Sequence, residues 1–131
     1  MKKDIEIPII KDVYVAIVHE WNDEFLSKDW NAYILNDRDS KIDMVLIVSK
    51  GYDGERKTSI MRHGIGVVNA KSFEKIEPLQ EDVFSLNNEF FVTFYADDKL
   101  YEKKYLFEKN TIRENQLSPI PLIEKDGILA K

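Results

Sequence analysis

Two histidines, His19 and His63, are the side chains of this chain best suited to proton transfer near neutral pH. His19 closes an apolar run, so a packed histidine with a backbone partner is the plainer reading and a catalytic one the sharper. His63 follows Arg62 and precedes Gly64, at a backbone break where functional side chains are often presented. A surface or capping histidine is the plainer reading there too. Two histidines and a carboxylate can bind a metal ion, but no spacing fixes these residues near each other. Asp37-Arg38-Asp39 places two carboxylates on one side of an extended segment, a start towards an Mg²⁺ or Ca²⁺ site. Arg38 between them neutralises it, and loops of this composition are common, so no metal is expected. Asp53-Gly54-Glu55 is a turn before it is a site.

The segment Ser49 to Gly66 is the best candidate for a binding surface. It groups Lys50, Tyr52, Arg56, Lys57, Arg62 and His63 around a glycine-bearing turn. Cations with one tyrosine suit an anion or an acidic partner; the plainer reading is a solvated hairpin. Gly64-Ile65-Gly66 begins like a dinucleotide fingerprint, but Asn69 stands where the third glycine belongs and no helix pattern follows. No GxxxxGK[ST], HExxH, GxSxG or CxxC occurs, and no serine has a local His or Asp partner pattern. Enzyme signatures are weak or absent, which leaves catalysis open; no cofactor is expected.

The elements that would position these residues read as strands. The organising stretch is Asn88 to Asn110, the most aromatic in the chain, which reads as two strands joined at Asp97-Asp98, with a four-residue loop of the same register as the alternative, since Asp takes positive φ less readily than Gly. That register sets Ala96 against Lys99, Tyr95 against Leu100 and Phe94 against Tyr101. Alternation gives Phe90, Val92, Phe94, Tyr101 and Tyr105 a core face. Phe91, Thr93, Tyr95, Leu100, Glu102, Lys104 and Leu106 share the other, apolar with charges among the rings. Such a face fits a partner or a second layer, and equally rings flanking exposed charges.

Upstream, Ile5 to Ile10 is an edge strand or extended lead-in, since Pro8 lacks a ladder donor. Val13 to Val18 is apolar at every position, as for a strand covered on both sides. His19-Glu20 closes it, and Asp23 to Ser27 admits one helical turn. Trp30 to Leu35 puts Trp30, Ala32 and Ile34 on one side, Tyr33 and Leu35 on the other. Asn36 to Lys41 is a loop and Ile42 to Ser49 a strand. Lys50 to Glu55 turns, and Arg56 to His63 returns as an edge strand broken by Gly64 and Gly66, with a helical turn over Thr58 to Arg62 as the competing reading. Lys71 to Glu77 is a weak strand ended by Pro78, and Asp82 to Leu86 an extended lead-in. Residues 117–131 carry two prolines and no period, as for an extended C-terminal strap.

Six to eight short strands with turns between them indicate a mainly β, single-domain antiparallel sandwich over 1–131, with at most one or two short helical turns. An immunoglobulin-like arrangement is the first choice; a strongly curved sheet with one short helix is the alternative. The 131 residues suit one domain able to bury its own core. There is no cysteine, hence no disulfide or thiolate metal site. Net charge is −5, from 19 basic and 24 acidic side chains scattered along the chain, which argues against a phosphate-backbone binder. No signal-peptide pattern or membrane-span-length apolar run occurs, so a cytoplasmic location is expected and membrane association is not.

The runs SKGYDGERKTSIMRH and LNNEFFVTFYADDKLYEKKYLFE resemble a group of short bacterial proteins of unknown function, with the similarity extending over most of the chain. The resemblance implies kinship and brings no activity, cofactor or catalytic residue. From the residues themselves, surplus aromatic surface (Trp21, Phe25, Trp30, Phe91, Tyr95) without a catalytic signature points to a protein-interaction module, with another copy as one partner. The alternative is a small ligand-binding or enzymatic domain with an anion site around Lys57, Arg62 and His63.

Overall fold

A computed structural model describes residues 10–130. The chain forms two antiparallel sheets packed as a β-sandwich. The first sheet contains β1 (Val13–Asn22), β2 (Ser27–Asn36), β6 (Ser72–Leu79), β9 (Ser118–Pro119) and β10 (Asp126–Leu129), in the order β6-β2-β1-β10-β9. The second contains β3 (Ile42–Asp53), β4 (Arg56–Lys57), β5 (Met61–Val68), β7 (Asn87–Ala96) and β8 (Lys99–Phe107). Its order is β4-β3-β7-β8, with β5 on the same side of β3 as β4. Two 3₁₀ turns, Glu81–Val83 and Glu114–Gln116, are the helical content of the described residues.

β7 and β8 pair in the register expected, with Ala96 opposite Lys99 and Phe94 opposite Tyr101. Asp97 and Asp98 take φ of 53° and 62°, the left-handed pair that matches the twist of a two-residue hairpin loop. Phe90, Val92, Phe94, Tyr105 and Phe107 are buried between the sheets, against Val13, Val15, Ile17, Ala32 and Ile34. Phe107 meets Phe90 edge-on, and Tyr101 stacks on Phe94. The Tyr105 hydroxyl donates to the Val13 carbonyl, so one hydrogen bond ties the sheets together through the core.

Several elements run differently from the sequence reading. β1 continues past His19-Glu20 because His19 stacks on Trp30 across the ladder, 4.1 Å between ring centres. Asp23 to Leu26 form a hairpin tip in place of a helical turn, held by Asn22 Oδ1 accepting from the Glu24 and Phe25 amides. β3 runs on to Asp53, which moves the turn to Gly54-Glu55. The expected strand Arg56 to His63 divides, because Thr58 leaves the ladder to bond both backbone groups of Gly51. Gly64 and Gly66 then lie inside β5. Gly66, at φ 86°, takes up the register shift opposite Val45, making a bulge where a break was expected. Pro78 lies within β6, an edge strand whose free side needs no amide donor. The segment at Asp82 is a 3₁₀ turn, pinned by Asn88 Nδ2 donating to the Val83 and Leu86 carbonyls. Of the run Ile5 to Ile10, residues 5–9 lie outside the described residues.

The C-terminal segment covers the first sheet from outside. β10 pairs with β1, and Ile120 and Ile123 are buried against Ala16, Val18 and Leu35. Gly127 permits the approach, since a Cβ there would lie 2.5 Å from the Ile17 carbonyl oxygen. Glu20 latches the segment: Oε1 accepts from Lys125 Nζ at 2.6 Å, while Oε2 accepts from Asn31 Nδ2 and the Tyr33 hydroxyl. Burial pushes the Glu20 carboxyl up, but the hydrogen bonds from Lys125, Tyr33 and Asn31 together outweigh it and hold the group below its ordinary range.

A carboxyl with a lowered folded-state pKa adds stability above its unfolded value, and that stability is lost as pH falls through the folded value. The latch should therefore weaken in acid. Amide exchange at residues 120–129 should accelerate as pH drops below the ordinary glutamate range, after correction for intrinsic rates. Glu20→Gln should accelerate it already at neutral pH and remove the acid dependence. Exchange that is insensitive to both changes would show that Glu20 does not hold the segment.

Candidate functional site

The six residues proposed around the Ser49 to Gly66 turn do not converge. Lys50 and Tyr52 point outward from β3, and Lys57 lies opposite Tyr52. These three share a cleft of about 440 Å³ with Thr58, Ile60 and Glu89. Glu89 occupies that cleft electrostatically: its carboxylate lies 3.7 Å from Lys50 Nζ and 4.0 Å from Lys104 Nζ, and accepts from the Tyr52 hydroxyl at 3.3 Å. Burial and the Glu89 charge push the Tyr52 phenol up. An incoming anion would meet that carboxylate. Arg56 is paired with Asp53 at 2.7 Å, at the hairpin end. Arg62 lies outward beside Val48, which is four residues from Tyr52 along β3, a separation of roughly 13 Å at strand rise.

His63 points the other way, into the seam between β5 and β6. Its Nε2 lies 2.6 Å from Glu77 Oε1, and Ser49 Oγ donates to the same oxygen at 2.7 Å. A carboxylate only accepts, so Nε2 carries the proton in this contact. Serine, histidine and a carboxylate are thus together, but in the wrong order for nucleophilic catalysis. The hydroxyl and the imidazole both bond the carboxylate, so the histidine is not interposed between serine and acid as in a triad. The arrangement fits a polar clasp across the sandwich edge, joining the first sheet through Glu77 to the second through Ser49 and His63. Neither Ser49 nor Glu77 stood out in the sequence. The signal available was Glu77 beside Pro78 on an edge strand, which gives no partner.

The remaining candidates scatter. His19 is stacked on Trp30, and Trp30, 5 % exposed, belongs to the core and is no surface anchor. Trp21 and Phe25 are 55 % and 71 % exposed at the β1–β2 hairpin tip. Asp37 and Asp39 face Lys71, and Arg38 reaches Asp97 at 2.6 Å, so this end of the sandwich is a network of ion pairs. No group of three metal-ligating side chains occurs among the described residues. No helix among them is long and apolar enough to cross a membrane.

Phe91 and Tyr95 lie on the outer face of the second sheet, which contrasts with the outer face of the first. The outward residues of β1 are covered by Ile120, Leu122 and Ile123. Among the described residues nothing covers the outward side chains of β3 in this way: Leu46 is 54 % exposed, beside half-buried Val48. Across the same face, Tyr95 and Leu100 are exposed, and Phe91 and Leu106 are partly so. Met44, at φ 52° in the β3 bulge, extends the apolar edge. Sequence reasoning found the hairpin half of this face and missed Met44, Leu46 and Val48. Their signal was an apolar run at both strand parities, as in β1. Comparison with known families, curated proteins and solved structures gave no match for this chain.

The clasp at the β5–β6 edge makes a definite prediction. Glu77→Ala leaves the Ser49 hydroxyl, 4 % exposed, without its acceptor. Denaturant unfolding should show a loss of about 1–3 kcal/mol, with Glu77→Gln milder. A loss under a few tenths would mean that the sheets are held at this edge by packing alone.

Proposed function

We propose that this chain is a cytoplasmic, non-catalytic protein-interaction module whose docking surface is the outer face of the second sheet. One observation carries the reading: β3 is apolar on both sides like β1, yet only β1 has its outer side covered by the chain's own C-terminal segment. Solvent-facing leucine, valine and aromatic side chains grouped on one sheet face favour a partner. Rings with charges at the margins suit an interface of apolar centre and polar rim. The anion-site alternative around Lys57, Arg62 and His63 draws less support, since Lys57 and Arg62 stand apart and His63 lies on the opposite side.

We also read the connectivity as immunoglobulin-like. Taking β1, β2, β3, β6, β7 and β8 as A, B, C, E, F and G, the pairings A–B–E and C–F–G follow. β4 and β5 take the place beside C, no D strand is present among the described residues, and β9–β10 add to A. Many domains of this architecture serve as binding modules, though the fold alone assigns no role.

A photoreactive amino acid in place of Leu46 tests the docking surface in cells. It should form a crosslink to protein, whereas the same group in place of Lys75 on the first sheet should not. Equal or absent crosslinking at the two positions would contradict the proposal.

A further inference from the structure

The pairing registers fix which outward side chains stand abreast on the second sheet. Leu100, Tyr95 and Asp43 form one row, and Glu102, Thr93 and Leu46 the next, with Gly64 at its end. Lys104, Phe91, Val48 and Arg62 form the third; Leu106, Glu89 and Lys50 form the fourth. Consider a two-fold axis lying parallel to the face, across the strands, midway between the second and third rows. It places Glu102 opposite the Lys104 position of another copy, and Lys104 opposite its Glu102. Asp43 falls opposite Lys50. Leu100 falls opposite Leu106, Leu46 opposite Val48, and the Tyr95 hydroxyl opposite the Glu89 carboxylate. Arg62 falls opposite Gly64, where there is no side chain to clash. No charge meets its own sign. An axis along the strands fails this test, because it sets Lys104 against Arg62 in the same row.

We propose that the partner of this face is a second copy of the chain, docked through that cross-strand two-fold. This rests on the reading of the face as a docking surface and specifies its occupant. A closed two-fold interface must be self-complementary, and this charge pattern is. Aligned sheet packing at about −30° needs only a tilt of about 15° in the axis. Strands ~4.8 Å apart and rows ~6.6 Å apart make this array on the order of 450 Å² in projection. Side-chain relief raises that towards the roughly 800 Å² per partner of a standard interface. Glu102 has no ion-pair partner among the described residues, and Lys104 only a 4.0 Å contact with Glu89, so both are available to the other copy.

Sedimentation velocity over a dilution series at low salt tests the inference with Glu102→Lys, Lys104→Glu, the double exchange and Leu46→Arg. Circular dichroism melting first shows that each variant folds. The wild type should dimerise reversibly. Each single charge change should weaken the dimer about tenfold, since symmetry repeats the repulsion, and Leu46→Arg should weaken it further. The double exchange should return affinity to within about threefold of wild type. A wild type that stays monomeric overturns the second copy as partner, while a crosslink at Leu46 to a different protein would leave the docking surface standing. A dimer weakened by Leu46→Arg but not restored by the double exchange overturns the two-fold register. A dimer indifferent to every variant, together with no crosslink at Leu46, overturns both readings.

Discussion

β1 and β3 are interior strands of their sheets, and each carries hydrocarbon on both of its sides. Inward, Val13, Val15 and Ile17 meet Val45, Ile47 and the β7 rings, and that contact makes the sandwich. Burying such side chains is worth roughly 1.5–3 kcal/mol each. The outward sides carry the same demand. For β1 the chain answers it with Ile120 and Ile123, with a glycine at 127 to let β10 approach, and with the Glu20 latch. For β3 the described residues supply no answer. The functional proposal follows from that asymmetry.

The polar groups mark where the sandwich is closed and where it is open. At the β5–β6 edge Glu77 bridges to Ser49 and His63. Through the core, Tyr105 reaches the Val13 carbonyl, and burial pushes its phenol well up, so it stays a donor. At the end of β2, Asn36 is fully buried and its Nδ2 shares its two hydrogens among the Ser40, Val68 and Asn69 carbonyls, tying β2 to the loop before β3 and to the end of β5. A buried amide with its partners in place fixes one geometry, because breaking any of these bonds inside costs more than it would in water. The histidine that looked most exposed to chemistry is thus part of the closure.

The register and turn of the β7–β8 hairpin were legible, because period-two alternation and turn-forming residues are local signals, while the second strand stops at Phe107. β2 was legible in its alternation and β1 in its unbroken apolar run, although both strands extend further towards their shared hairpin than those signals reach. The error at Gly64 and Gly66 came from treating glycine as a stop, when pairing with β3 carries the strand through and uses Gly66 as a bulge. Pro78 misled in the same way, since whether proline ends a strand depends on which side has a neighbour. The partners of His63 were not legible at all. Ser49 and Glu77 lie 14 residues to either side of it, and only sheet packing brings them together. The open face was half legible: the hairpin announced Phe91 and Tyr95, while Leu46 and Val48 looked like core, because sequence cannot say which of two apolar strands receives the cover.

Methyl NMR with a soluble paramagnetic agent measures the asymmetry directly. At high protein concentration the methyls of Leu46, Val48, Leu100 and Leu106 should be shielded from the agent, and on dilution they should become accessible. The methyls of Val18, Ile120 and Ile123 should stay shielded throughout. Accessible Leu46 and Leu100 methyls at every concentration, or Val18 as accessible as Leu46, would contradict the account.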